Sequence, residues 1–249
     1  GIGKELIKEL LKQTNVIAIG RNQQLLDDLC KSPQQKFKIV PFKFDFSEDL
    51  QLFAPKFEAM LKEQKIDPLK IGICYSNIGY GGYELFHETS FGEKQRFLKA
   101  NIGSHVLMAD YFVKLFLARK AKSALCFTSS AEAYIIGRKI STYHISKKAV
   151  TALGNALYAE YTDAGIDVLT VHPTAVTGRI LKEFAKRVGN KSEFKLVAVT
   201  EAQVVHHLLS RLGKTSNSDV GLSCDCVNIA SRILGNKGLA WIHKVAARE

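Results

Sequence analysis

Apolar runs of strand length alternate along this chain with amphipathic runs of helix length. Leu6, Ile7, Leu10 and Leu11 recur at helical intervals among lysines and glutamates, which predicts a helix over Lys4–Gln13. A strand is predicted at Asn15–Gly20, a helix at Gln23–Lys31, a strand at Phe37–Phe44 and a helix at Glu48–Glu63. Ile71–Ser76 reads as a compact apolar strand and Phe91–Lys120 as one long helix. Ala124–Ser129 reads as strand, Thr142–Ala164 as helix and Asp167–His172 as strand. Alternation of this kind predicts an α/β fold, a parallel sheet with helices on both faces. Ligands of such sheets bind beyond the carboxyl ends of the strands. Arg21, Asp45, Asn77, Ser130 and Pro173 each fall at or just after such an end.

Beyond Thr177 the rhythm changes. The stretch from Arg179 to Ser192 is basic and irregular, and Thr200–Leu212 reads as helix. Ser216–Asp219 reads as a turn and Gly221–Cys226 as a last strand. There is no linker, low-complexity stretch or internal repeat, so residues 1–249 read as one domain with an inserted flap over 179–199.

The net charge of +11 adds little to this picture, because the lysines interleave with apolar residues as on a solvated helix face. A nucleic-acid surface is not expected. Cys74 and Cys126 lie inside strand-like runs and read as small core residues. Cys224-Asp225-Cys226 has no matching second half, and no H-E-x-x-H occurs, so no metal site is expected. The scattered cysteines suit a reducing compartment. No apolar run reaches the ~18 residues that would span a bilayer.

The chemistry concentrates at Tyr143-His144-Ile145-Ser146-Lys147, a Y-x-x-x-K pattern that opens a helical stretch. Positions i and i+4 share a helix face, so the phenol and the ammonium point into one space. A nearby cation favours the phenolate, which makes the pair a general acid/base for a carbonyl/alcohol couple. Ser130 is available to hold the same oxygen. At the chain's start, Gly1-Ile2-Gly3 leads straight into a helix, where exposed N–H groups and the helix dipole suit a pyrophosphate.

Together these residues resemble the classical short-chain dehydrogenases/reductases over most of Gly1–Thr177. Gly1-Ile2-Gly3 resembles the end of that family's T-G-x-x-x-G-I-G turn, and Ser76-Asn77-Ile78-Gly79 its N-N-A-G segment. Asn101 stands where the family keeps a catalytic asparagine. Ser130 and Tyr143 have the family's spacing, and Pro173–Thr177 resembles its P-G-x-x-x-T segment. Ser76 replaces an asparagine, Thr174 replaces a glycine, and the first strand and first part of the glycine turn are absent. Arg21, Asp45–Glu48 and Pro173–Thr177 further resemble the very-long-chain 3-oxoacyl-CoA reductase/17β-hydroxysteroid dehydrogenase branch.

The resemblance implies a Rossmann-like, doubly wound sheet and a set of roles. Tyr143 would be the general acid of carbonyl reduction, with its pKa lowered by Lys147, which also grips the nicotinamide ribose. Ser130 would donate to the substrate oxygen, and Asn101 would hold a proton-passing water. Arg21, with Asn22, suits a 2′-phosphate and so favours NADP(H). Asp45 and Phe46 would lie at the adenine. Gly1, Ile2 and Gly3 would face the pyrophosphate. Asn77, Gly79, Pro173, Val176 and Thr177 would line the nicotinamide. The implied activity is NADPH-dependent reduction of a ketone on a lipid-like substrate. A non-catalytic binding or scaffold member and a reductase of small carbonyl compounds are the alternatives. A homodimer or homotetramer is expected, in the cytosol or on the cytoplasmic face of the endoplasmic reticulum. Membrane attachment would come only through a missing amino-terminal segment.

Overall fold

A computed structural model describes residues 1–31, 36–178, 181 and 198–246, with the side chains of 236, 237 and 239–246 left aside. The order is α1 (Ile2–Leu10), β1 (Val16–Gly20), α2 (Gln23–Cys30), β2 (Ile39–Lys43), α3 (Phe53–Glu63), β3 (Ile73–Ser76), α4 (Phe91–Leu98), α5 (Ser104–Arg119), β4 (Ser123–Thr128), α6 (Ser141–Tyr161), β5 (Ile166–Pro173), α7 (Glu201–Arg211), β6 (Asn217–Val220) and α8 (Leu222–Ala246). All strand pairs are parallel, as the alternation predicts. The sheet comes in two parts: β1 pairs with β2, and β3-β4-β5-β6 form a four-stranded sheet. Among the described residues, β1 and β3 each have a ladder neighbour on one side only.

Alternation along the buried strands sends side chains to two cores. Leu125, Phe127 and Val168 join Phe42, Phe53, Phe57, Phe112 and Phe116 on one face, under α3, α5 and α6. Cys126, Leu169 and Val171 meet Leu6 of α1 and Val204, Val205 and Leu208 of α7 on the other. The same α1 reaches the smaller sheet, where Leu11 just past its end packs with Ala18, Leu26 and Ile39. Helix α6 lies so close to β5 that a Cβ on Gly154 would sit 2.0 Å from Thr170 Oγ1. That contact fixes the depth at which α6, and with it Tyr143 and Lys147, sits against the sheet.

The long helix expected over Phe91–Lys120 is present and runs from α4 into α5 through one π-helical stretch, Lys99–Gly103. One expectation is corrected. The last strand is Asn217–Val220, where a turn was expected, and the expected strand at Gly221–Cys226 is the start of α8. Asn217 to Val220 pair with Thr170 to Pro173 through the backbone, so polar side chains do not prevent the strand. The flap 179–199 lies outside the described residues except for 181, 198 and 199.

Candidate active site

Tyr143 and Lys147 occupy the first two turns of α6, as the i, i+4 spacing requires, with Lys147 Nζ 5.7 Å from the centre of the Tyr143 ring. The helix is pinned to the end of β4 from behind. Ser129 Oγ and Thr151 Oγ1 lie 2.9 and 3.0 Å from the Lys147 carbonyl and 2.8 Å from each other, so one of them donates to that carbonyl while the other can donate to its neighbour. Lys147 Nζ donates to the Thr128 carbonyl at 2.9 Å, which leaves its other two N–H bonds without a partner among the described residues. Ser130 caps the short turn Ala131–Ala133 and its hydroxyl bonds the Tyr143 phenol.

Gly79 brings a third segment in. Its φ of +150° suits glycine, and a Cβ there would stand 3.4 Å from Asn101 Oδ1 and 3.5 Å from Lys147 Nζ. The bare backbone therefore leaves a hollow beside the ammonium. Asn101, fully buried in the π-turn, accepts from the Tyr80 N–H at 3.0 Å and donates to the Tyr80 carbonyl at 2.8 Å. Both ends of the amide thus clamp the loop after β3.

His105 braces the same loop. Its Nε2 lies 3.0 Å from the Ile78 carbonyl, which can only accept, so Nε2 carries the proton. Burial, with the Lys147 charge adding to it, lowers its pKa to about 3 and keeps the ring neutral. Nδ1 then accepts from Ser76 Oγ at 2.7 Å. Ser76, the replacement for the family's first asparagine, thus has its own buried partner.

Electrostatics at the centre correct another expectation. Burial raises the Tyr143 pKa to about 12, with the Ser130 hydroxyl opposing and the Glu132 charge adding to the rise. Lys147 is itself pushed down to about 8 by burial. Desolvation therefore dominates the phenol's pKa. In this state Tyr143 is a protonated donor, the form a carbonyl reduction consumes.

The remaining predicted residues fall into two groups. Helix α1 starts at Ile2, the N–H groups of Lys4 and Glu5 return to the Gly1 carbonyl, and those of Ile2 and Gly3 have no helical acceptor. A Cβ on Gly3 would lie 3.1 Å from Asn77 Nδ2, so these two predicted positions are adjacent. Pro173 ends β5, Val176 bridges Val199, and the Thr177 hydroxyl donates to Glu201 Oε2 at 3.1 Å. At the other end, Arg21 is exposed after β1, and Asn22 caps α2 by accepting from the Leu25 N–H at 3.0 Å. Asp45 Oδ1 accepts from the Ser47 N–H and hydroxyl, at 2.9 and 2.8 Å. Phe46 is buried against Phe44 and Phe53, so its ring belongs to the core. The charges of Arg21 and Asp45 both reach Tyr80, which ties this end to the loop clamped by Asn101.

These residues fit a nicotinamide dinucleotide. The space at Gly79, the Lys147 ammonium, the first N–H groups of α1 and the exposed guanidinium of Arg21 are the kinds of group such a ligand requires. The sequence reading missed Tyr80, His105, Glu132 and the pair His172–Asp219. His172 Nε2 pairs with Thr151 at 3.0 Å, and its Nδ1 lies 3.5 Å from Asp219 Oδ1, which also accepts from the Tyr134 hydroxyl at 3.0 Å. None of these contacts is local in sequence, and only the histidines carried a signal in their type. Among the described residues no cluster of metal-ligand type occurs.

The family model for short chain dehydrogenases matches residues 1–189, and the chain belongs to that family of oxidoreductases. It is 29% identical over 194 residues to a very-long-chain 3-oxoacyl-CoA reductase-like protein of Arabidopsis thaliana, covering 74% of this chain and 59% of the relative. It is 28% identical over 218 residues to hydroxysteroid dehydrogenase-like protein 1 of Gallus gallus, covering 86% of this chain and 62% of the relative. The chain thus spans about six-tenths of the length of these relatives. A solved short-chain dehydrogenase from Sphingobium yanoikuyae, in complex with NADPH, superposes with a TM-score of 0.73 at 18% identity, covering 88% of this chain and 83% of that one.

Proposed function

We propose that this protein reduces a ketone on a lipid-like substrate, of the 3-oxoacyl-CoA or hydroxysteroid class, to a secondary alcohol using NADPH. The observation that carries the reading is the convergence of Ser130, Tyr143 and Lys147 at the end of β4, with the backbone of Gly79 open beside them. Bound NADPH would supply the hydride, with Lys147 at its ribose, Gly79 and Asn77 beside the nicotinamide, and Arg21 at the 2′-phosphate. Ser130 holds the carbonyl oxygen. Tyr143 gives that oxygen its proton, and the positive charge of Lys147 stabilises the phenolate left behind. The relatives' names support the substrate classes, and the solved neighbour bound to NADPH supports the cofactor.

The expected assembly is a homodimer or homotetramer through α5 and α6, which expose Val106, Leu117, Ile145 and Tyr158. The expected location is the cytosol or the cytoplasmic face of the endoplasmic reticulum. Among the described residues no helix is long and apolar enough to cross a membrane.

The test is NADPH oxidation by the purified protein with a 3-oxoacyl-CoA, a 3-ketosteroid and a 17-ketosteroid. Turnover of at least one, with NADPH preferred to NADH, is expected. Tight NADPH binding without turnover of any carbonyl compound would replace this reading with a binding or scaffold role.

A further inference from the structure

Glu132 is left unused by the reaction described above. It lies two residues after Ser130, in the turn that the serine caps. Its backbone is fixed from both sides of the reaction centre. Its N–H donates to Ser130 Oγ at 3.2 Å, and its carbonyl accepts from Nδ1 of His144, the neighbour of Tyr143, at 2.6 Å. Among the described residues its Oε2 is buried and has no hydrogen-bond partner. An unmet buried polar atom costs ~1–3 kcal/mol, which a ligand's hydrogen bond would recover.

Burial holds its pKa up at about 7, and its charge opposes the Tyr143 phenolate. The group suited to this place is the neutral acid, which can donate as well as accept. The residue as a whole is partly exposed, and rotation of the carboxyl exchanges its two oxygens. A ligand held by Ser130 and Tyr143 therefore has an unoccupied donor at its side.

We propose that Glu132 is a specificity-determining residue that donates a hydrogen bond to a second carbonyl oxygen of the substrate, the thioester oxygen of a 3-oxoacyl chain, while Ser130 and Tyr143 hold the ketone oxygen. The inference rests on the ketone-reductase reading above and selects between its two substrate classes. A 1,3-dicarbonyl carries two acceptors on three adjacent carbons, so one can meet the Ser130–Tyr143 pair while the other meets the neighbouring carboxylic acid. An isolated ring ketone offers no second acceptor there and would leave Glu132 unpaired. Such unpaired polar groups are what make a site reject the wrong ligand.

The experiment compares 3-oxododecanoyl-CoA with 3-dodecanone, both with NADPH, in the wild type, Glu132→Leu and Glu132→Gln. In Glu132→Leu the ratio of kcat/KM for the thioester over the monoketone is expected to fall at least ~10-fold, mostly through KM, as for one lost hydrogen bond. Glu132→Gln keeps an N–H donor of the same length and is expected to restore most of the ratio. If Glu132→Leu does not fold by circular dichroism, Glu132→Met takes its place. An unchanged ratio in a folded apolar variant overturns the role of Glu132 while leaving the reductase reading intact. A wild type that reduces 3-dodecanone but not the thioester overturns the role too. A wild type that reduces neither overturns the role of Glu132, and the reductase reading falls with it if the 3-ketosteroid and 17-ketosteroid are refused as well.

Discussion

The two parts of the sheet are held by different forces. Around β3–β6, buried polar contacts converge on α6: Ser129 and Thr151 on the Lys147 carbonyl, His172 on Thr151, Asn101 on Tyr80 and His105 on Ser76. Around β1–β2, polar side-chain contacts are exposed or local: Asn22 caps α2, Asp45 closes on Ser47, Asn15 accepts from the Lys38 N–H and Lys38 Nζ reaches Gln64 Oε1. What joins this part to the rest is mainly apolar packing, through Leu11 just past α1 and through an aromatic cluster. Phe42 of β2 meets Phe57 of α3 at 5.4 Å, and Phe57 meets Tyr111 and Phe112 of α5 at 5.6 and 6.0 Å. Directional bonds fix the reaction centre to the geometry chemistry needs, whereas apolar contacts tolerate small shifts at the end assigned to cofactor choice. Chemistry and cofactor preference should therefore be separable by mutation.

The largest expected effect is on the chemistry alone. Tyr143→Phe removes one oxygen from the centre and nothing from the packing of α6. Since general acid catalysis contributes ~10²–10⁴-fold, kcat should fall at least ~100-fold while NADPH affinity and thermal stability hold. Single-turnover kinetics with calorimetric titration check this. A variant that keeps more than about a tenth of the wild-type rate removes Tyr143 from the proposed role.

Next comes the joint between the two parts. Phe57 is 1% exposed and touches both sides. Phe57→Ala should cost ~3–5 kcal/mol by opening a cavity in a core that cannot fully close. The loss should be uneven. Hydrogen exchange should show β1 and β2 amides losing protection before those of β4 and β5, because the latter keep their ladder and polar ties. Equal loss in both would mean that the sheet parts open as one unit and that the contrast drawn above has no energetic content.

The same division governs what the sequence disclosed. Strands β3, β4 and β5 were legible because burial on both faces demands near-continuous apolar runs such as Ala124-Leu125-Cys126-Phe127. Tyr143 and Lys147 were legible because a helix alone brings them together. Strand β6 was not, since Asn217-Ser218-Asp219 has turn composition and is made a strand by its ladder to β5. The long helix Phe91–Lys120 was legible, but its π-helical stretch Lys99–Gly103 was not, because that has no residue signature and the clamp that occupies it joins Asn101 to Tyr80, 21 positions away. Tyr134 and Asp219 meet across 85 positions. Glu132 carried no signal in the sequence, because its burial comes from its neighbours in the fold. Even the role of Lys147 was half legible: its position was set by spacing, but the balance of charge and desolvation depends on burial that no spacing reports.

The smallest expected effect sharpens the contrast from the cofactor side. Arg21 is exposed, directly follows β1, and makes no ion pair among those described. Its guanidinium suits a phosphate on the adenine ribose, whereas a carboxylate in its place would accept from an unphosphorylated ribose hydroxyl and repel the phosphate. Arg21→Asp should therefore shift the ratio of kcat/KM for NADPH over NADH at least ~10-fold toward NADH, about 1.4 kcal/mol. Because no side-chain contact ties Arg21 to Ser130, Tyr143 or Lys147, kcat with saturating NADH should stay within ~3-fold of wild type, the size of effect expected of a surface change. Thermal stability should stay level for the same reason. A shifted ratio with kcat preserved would confirm that the two ends act separately. A collapse of kcat with both cofactors would show instead that Arg21 reaches the centre through Tyr80, whose ring already senses its charge.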